Sequence, residues 1–298
     1  ILCGDGNPSG RTIDTFVYDL TQTPTANNFG NFTYTNMDEF KASSFGADTI
    51  PAFVNYVEGI YVGYKFYETA AAEGLIDYDK TVVYPFGRGL SYTTFTQTLN
   101  SVTEADGTIT VDVTVTNTGS ASGKEVVEVY YNPPYTNGGI EKASANLIGF
   151  AKTSELAPGA SENVTVTFKA EDMASYDTYG KGCYVLEKGD YVISINADSH
   201  TVLDSKVYNV ASDIVYDASN KRESDVEVAD NKFDFAEGNV TYLSRATALP
   251  TTPRLPLLPQ TLSCRQRLRQ PSTTTPTGTP RTSTTPTMWL PPPVPRTA

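Results

Sequence analysis

Few residues in this 298-residue chain have the types and spacing that chemistry needs. The one histidine, His200, sits in DSHTV behind a β-like run. A single imidazole cannot build a His-based metal site, and this position reads as a surface turn. A Ser-His-Asp site has no support either, because no nucleophile elbow accompanies that histidine. Cys3, Cys183 and Cys264 are odd in number, far apart and without metal-ligand spacing. They read as free thiols in a reducing compartment rather than a disulfide framework. GDGNPSG (Gly4–Gly10) is rich in glycine, yet it lacks the Gly-Lys-Ser/Thr ending of a phosphate loop and the G-x-G-x-x-G spacing of a dinucleotide fingerprint. The residues therefore imply no cofactor, no metal and no catalytic residue. Glu58 and Glu68 stand in an aromatic run, YVEGIYVGYKFYE, where a solvated or structural role is read for both.

Charge narrows the partners. The chain carries 22 Lys and Arg against 34 Asp and Glu, a net charge of −12. From Ser244 onward there are seven Arg and no Asp, Glu or Lys, so the part before it carries 15 − 34 = −19. Such a body repels phosphates, which argues against a nucleic-acid partner. No apolar run is long enough to span a membrane and no leader is visible, so no membrane partner is expected. A cytoplasmic location fits these features better than secretion. The opening ILCGDGNPSGRT has no Met and reads as if cut from inside a domain.

The elements that must position these residues fall into four stretches. Residues 1–92 are mixed. ILC reads as a short strand before a turn-rich loop, and Tyr56–Gly74 as a strand-like entry followed by a helix that ends at Gly74. Ile60, Tyr64, Tyr67 and Ala71 recur at helical spacing and predict a packed face. Residues 93–215 alternate. Ile109, Val111, Val113 and Val115 in ITVDVTVT, then KEVVEVYY, Asn146–Lys152 and ENVTVTF, are half-buried strands parted by NTGSASGK and LAPGAS turns. YVLEKGDYVISINA reads as a hairpin about Lys188-Gly189-Asp190, and Ser205–Val210 closes the set. About seven strands with regular turns predict an antiparallel immunoglobulin or fibronectin type III-like sandwich. Residues 216–243 form an acidic strap with Phe233 and Phe235 as anchors. Residues 244–298 hold 12 of the 19 Pro and none of the 32 Tyr and Phe, so they cannot bury a core and are expected to be disordered. A true Pro/Thr-rich linker and a shifted reading frame after about Ser244 both account for this tail. The abrupt loss of every acid, Lys, Tyr and Phe favours the second.

Four pieces taken in order resemble glycoside hydrolase family 3, the β-glucosidase family. They are GDGNPSGRTIDTF (Gly4–Phe16), YVEGIYVGYKFYE (Tyr56–Glu68), YPFGRGLSYTTF (Tyr84–Phe95) and VTVTNTGSASGKEVVEVYY (Val113–Tyr131). NKFDFAEGNVTYLSR (Asn231–Arg245) further resembles the linker of members in which an α/β sandwich comes first, a fibronectin-like domain second and a TIM-type barrel last. The resemblance implies that residues 1–92 are the remainder of the α/β sandwich domain, 93–215 the fibronectin-like domain and 216–243 a link toward a missing barrel. It implies that the aromatic turn YPFGRGLSYTTF is the handover between the two bodies, with Phe86, Tyr92 and Phe95 wedged between them. The implied reaction is retaining hydrolysis of β-linked glucosides or oligosaccharides by two carboxylates. Both motifs lie outside this chain, so the chain alone is expected to be inactive. The rival reading is a non-catalytic β-sandwich that binds carbohydrate or acts as a spacer with a flexible tail. Tyr130, Tyr131 and Tyr135 are the cluster such a glycan-binding face would use.

Overall fold

The computed structural model describes residues 1–25, 33–34, 56–231, 242–247, 249 and 261–262. The N-terminal part holds little regular structure. It contains β1 (Phe16–Val17), β2 (Thr33–Tyr34), the helix α1 (Tyr64–Ala72), one turn of helix α2 (Tyr78–Thr81) and β3 (Val82–Tyr84), with β1 and β3 antiparallel. The expected strand at ILC is absent, since Ile1 and Leu2 are exposed and turn-like. The strand-like entry at Tyr56 is a turn, and α1 starts only at Tyr64. Ile60 therefore falls outside the helix and is exposed, while Phe66, Tyr67 and Ala70 form the buried face. Gly74, at φ +69°, closes the helix as the sequence predicts.

The remainder is β structure: β4 (Phe95–Ala105), β5 (Thr108–Asn117), β6 (Val126–Asn132), β7 (Asn146–Lys152), β8 (Ser161–Lys169), β9 (Ser175–Tyr176), β10 (Tyr184–Leu186), β11 (Gly189–Asn196), β12 (Val202–Val210) and β13 (Ile214–Tyr216). A short β14 (Thr261–Leu262) lies parallel to β2. Two sheets, β4-β5-β8 and β12-β11-β6-β7, face each other as a seven-stranded sandwich. The period-2 pattern is the cause. Ile109, Val111, Val113 and Val115 point inward from β5 and are fully buried, while Asp112 and Thr114 point out. Val164 and Val166 on β8 pair with Val113 and Val111, and Val127, Val129, Tyr191, Ile193 and Ile195 close the core from the other sheet. Each such side chain contributes about 1.5–3 kcal/mol on burial. The β4–β5 turn is Asp106-Gly107, with φ of 50° and 74°, the positive values that a tight two-residue hairpin requires.

One strand assignment changes. β10 and β11 do not pair as a hairpin. β10 joins β9 and β13 in a separate three-stranded sheet, and β11 pairs with β6 and β12. The chain crosses between sheets at Glu187–Lys188, where the Lys188 amide is held by Asp213 (2.8 Å). β4 is the seventh strand of the sandwich in its place.

β6 is buried on both faces, which explains its nearly continuous apolar run. Val127, Val129 and Tyr131 face the sandwich core, while Glu128 and Tyr130 face out, toward α1 and the YPFGRG turn. A second core lies there, made of Tyr61, Phe66, Tyr67, Ala70, Val82, Ala143, Leu243 and Leu249. Leu243 and Leu249 are buried, so ordered packing continues past the composition break at Ser244, where disorder was expected. The rest of that tail, and Phe233 and Phe235, lie outside the described residues.

Candidate functional site

The junction between the N-terminal part and the sandwich is built on the Asn7–Thr12 loop and the Tyr84–Phe95 turn. Thr12 exchanges hydrogen bonds with the turn: its amide donates to the Arg88 carbonyl (2.8 Å), its carbonyl accepts from the Gly87 amide (2.9 Å), and its hydroxyl donates to the Pro85 carbonyl (2.7 Å). Asn7 holds the far end, accepting from the Tyr92 amide (2.8 Å) and the Ser91 hydroxyl (3.0 Å) and donating to the Ser122 carbonyl of the sandwich (3.0 Å). The two glycines of PFGRG differ in role: Gly87 is set by its backbone conformation, and Gly89 makes room for the Arg11 side chain. Gly87 has φ +82°, and a Cβ there would lie 2.3 Å from Glu128 Oε2. A Cβ on Gly89 would lie 2.8 Å from the Arg11 Cδ. The glycines let the turn close down on a partly buried charge cluster.

That cluster is Arg11, Glu125 and Glu128. The Arg11 guanidinium makes an ion pair with Glu125 and donates to the Ala197 carbonyl (3.2 Å), so one side chain ties the loop to the residue before β6 and the residue after β11. Burial pushes the Glu125 carboxyl up, opposed by Arg11 and by the Gln97 amide. Burial pushes Glu128 up to about 7, opposed by the Tyr130 hydroxyl (2.8 Å) and the charge of Arg11. Tyr64 of α1 completes the wedge. Its ring stacks on Phe86 (4.7 Å, 28°) and meets Tyr130 edge-on (6.0 Å, 89°), and its hydroxyl accepts from the Leu147 amide (2.9 Å).

Of the three aromatics expected in the wedge, only Phe86 sits there. Phe95 begins β4 and packs on the sandwich core. Tyr92 is half exposed and donates its hydroxyl to the Ile1 carbonyl (3.0 Å). The residues named for a glycan-binding face do not make one. Tyr130 and Tyr131 are buried on opposite faces of β6, and Tyr135 lies under the Arg245 guanidinium (3.9 Å).

Glu68 and His200 belong to a second cluster, where α1 meets the β11–β12 loop. Buried Glu68 accepts from Tyr78 (2.6 Å), Ser199 (2.8 Å) and the His200 Nδ1 (2.8 Å). The His200 ring stacks flat on Tyr78 (3.6 Å, 8°). Burial, with the Glu68 charge beside it, holds the Tyr78 phenol well above its usual range. His200 is thus at the surface, as the sequence predicts, but it is engaged there because Glu68 needs donors. A carboxylate with three donors on it is a strut rather than a free nucleophile. Glu58 is buried. Among the described residues, no group of three His, Cys, Asp or Glu is placed to hold a metal ion, and no helix is long and apolar enough to cross a membrane.

Comparison with known proteins matches this geometry. The family model described as "Fibronectin type III-like domain" covers residues 125–199. A β-glucosidase A of Butyrivibrio fibrisolvens is 38% identical over 209 residues, 64% of this chain and 22% of that protein. A β-glucosidase of Ruminococcus albus is 35% identical over 66% of this chain and 18% of its own length. Among solved structures, β-glucosidase 3B of Thermotoga neapolitana superposes with a TM-score of 0.58 at 32% identity, over 72% of this chain and 26% of that one. A GH3 β-glucosidase of Bifidobacterium adolescentis superposes with a TM-score of 0.55 at 27% identity. The chain is thus similar over about two thirds of its length to β-glucosidases, a GH3 enzyme among them, and carries a fibronectin type III-like domain. It spans about a fifth of the length of these curated relatives.

The Arg11–Glu125–Glu128 cluster is what reading the sequence missed. A signal was present. KEVVEVYY places two carboxylates in a strand that is otherwise apolar, and a carboxylate forced into such a strand demands a cation or a proton. The arginine of NPSGR is that cation, 114 residues away in sequence.

Proposed function

We propose that this chain is the non-catalytic framework of a retaining β-glucosidase-type enzyme that hydrolyses O-glycosyl bonds of β-linked glucosides or oligosaccharides. On this reading residues 1–92 are the end of an α/β sandwich domain, 93–215 the fibronectin type III-like domain, and 216–243 the start of the link to a TIM-type barrel. The barrel supplies the nucleophile and the preceding part of the α/β domain supplies the acid/base, so no catalytic residue is assigned here and none is given a cofactor. The junction carries this reading. Its loop, turn and helix are the stretches whose sequence resembles the β-glucosidase family, and they are tied to the sandwich by Arg11, Phe86 and Tyr64. A free-standing spacer or carbohydrate-binding module has no need of such a weld. The test is an assay of the 298-residue chain on an aryl β-glucoside. No turnover above the buffer rate is expected. Turnover that disappears in Glu68→Gln would move the chemistry into this chain and defeat the proposal.

A further inference from the structure

The outer face of β11 deepens into a cleft beside α1. Tyr191, Ile193 and Ile195 point into the sandwich core, so Val192, Ser194 and Asn196 point the other way. Their exposure falls along the strand from 36% to 7% to 2%. Across the sheet, Ser194 is paired with Tyr130 of β6 and with Ser205 of β12. Ala71 and Ala72 of α1, with Val192 and Val202 of the sheet, give the cleft apolar walls around a space of about 510 Å³. Residues 64–74, 126–146 and 189–210, which build it, are described throughout.

One polar group in this cleft is not used by the fold. Asn196 is a lining residue, and the carbonyl oxygen of its side chain is buried with no donor on it. A buried acceptor left unpaired costs stability. The adjoining β11–β12 loop does not need it. That loop is closed by Asp198, which accepts from the amides of His200 (3.1 Å) and Thr201 (2.8 Å). The carboxylate of the cleft, Glu68, is already filled by Tyr78, Ser199 and His200. The last torsion of an Asn side chain is soft, so with no donor holding it the oxygen can turn to meet one in the cleft.

Apolar walls, one unpaired acceptor and a volume within the range of small-molecule sites define the ligand. It has an apolar body that fills the space between helix and sheet, and one donor for the acceptor at the deep end. We propose that this cleft binds a small neutral aryl alcohol, its hydroxyl donating to Asn196 Oδ1 and its ring packed against Ala71, Ala72, Val192 and Val202.

Ligand-observed fluorine NMR on the 298-residue chain tests this. The probe is p-fluorobenzyl alcohol, and p-fluorotoluene presents a similar body without the donor. The alcohol should bind about fivefold more tightly, the gain from one neutral hydrogen bond. Asn196→Leu keeps the side-chain size and removes the acceptor, so it should erase that preference while p-fluorotoluene still binds. Ala72→Trp, at the exposed end of α1, should fill the cleft and prevent binding of both. Excess glucose should not displace the alcohol. Failure of the alcohol to bind the parent chain at millimolar concentration would overturn the proposal. So would equal affinity for the two probes, a preference that survives Asn196→Leu, binding that ignores Ala72→Trp, or displacement by glucose. None of these measurements reads glucoside turnover, so the proposed function stands or falls separately.

Discussion

Glu128 is the residue at which this fold is most sensitive to its solution. It is buried on β6, its carboxyl is raised from 4.5 to about 7, and its hydroxyl partner Tyr130 is buried with it. The raised value means that the folded state favours the protonated acid. Between the unfolded value and about 7 the native chain binds the extra proton, so stability falls as pH rises through that window and levels off above it. The full effect is at most about 3 kcal/mol for a shift of this size. Glu125 is raised in the same direction by burial and adds to the slope. Replacing Glu128 with Gln removes its charge while keeping its size and an acceptor for Tyr130. Urea unfolding at pH 5 and pH 7.5 should therefore show a smaller loss of stability for Glu128→Gln than for the parent chain. An identical pH dependence in both would mean that Glu128 is ionised in the fold and fully compensated by Arg11.

At the scale of elements, the question is what holds α1 on the sandwich. Helix propensity alone cannot, because nine residues make a marginal helix in water. The Tyr64–Phe86 stack and the Tyr64–Tyr130 edge contact supply the packing, and the Glu68 cluster supplies polar struts. Phe86→Ala should cost about 3 kcal/mol, the usual loss for a truncated core aromatic. Because the sandwich core does not include Phe86, the loss should appear locally. Proteolysis should release residues 1–92 much faster than in the parent, while amide protection in β5 and β11 persists. Simultaneous loss of both would show the two bodies to be one cooperative unit. How legible these elements were follows from the same physics. β5 and β8 could be read directly, because each has one wet and one dry face and the alternation is visible. β6 could be read as a strand, but its second buried face could not be seen, because that face is dried by α1 from elsewhere in the chain. β10 and β11 do not form the expected hairpin, because a Lys-Gly-Asp turn signal says where a strand ends and not which sheet the next one enters. The Glu68–His200 strut left no local trace, since its partners lie about 130 residues apart.

The molecule as a whole is unevenly finished. Twelve of the 21 exposed large apolar side chains among the described residues lie in 1–92, although that stretch supplies under a third of those residues. Ile1, Leu2, Ile13, Phe16, Tyr18 and Leu20 are all more than half exposed, against three residues, Phe150, Val202 and Val207, in the seven strands of the sandwich. Apolar surface on this scale marks a face built to be covered. Opposing any self-association is the charge of −19 on the part before Ser244. Repulsion between such bodies is long-ranged at low ionic strength and is screened within about 10 Å at 0.1 M salt. The two effects together give a salt dependence with a definite sign. Sedimentation velocity should show the chain near monomeric in dilute buffer and increasingly associated as NaCl is raised, with an environment-sensitive apolar dye bound in the low-salt form. Removing residues 1–92 by limited proteolysis should abolish both the association and the dye signal, leaving the sandwich monomeric. Association that instead weakens with salt would show that ion pairs join the copies, and the apolar face would lose its part in the assembly.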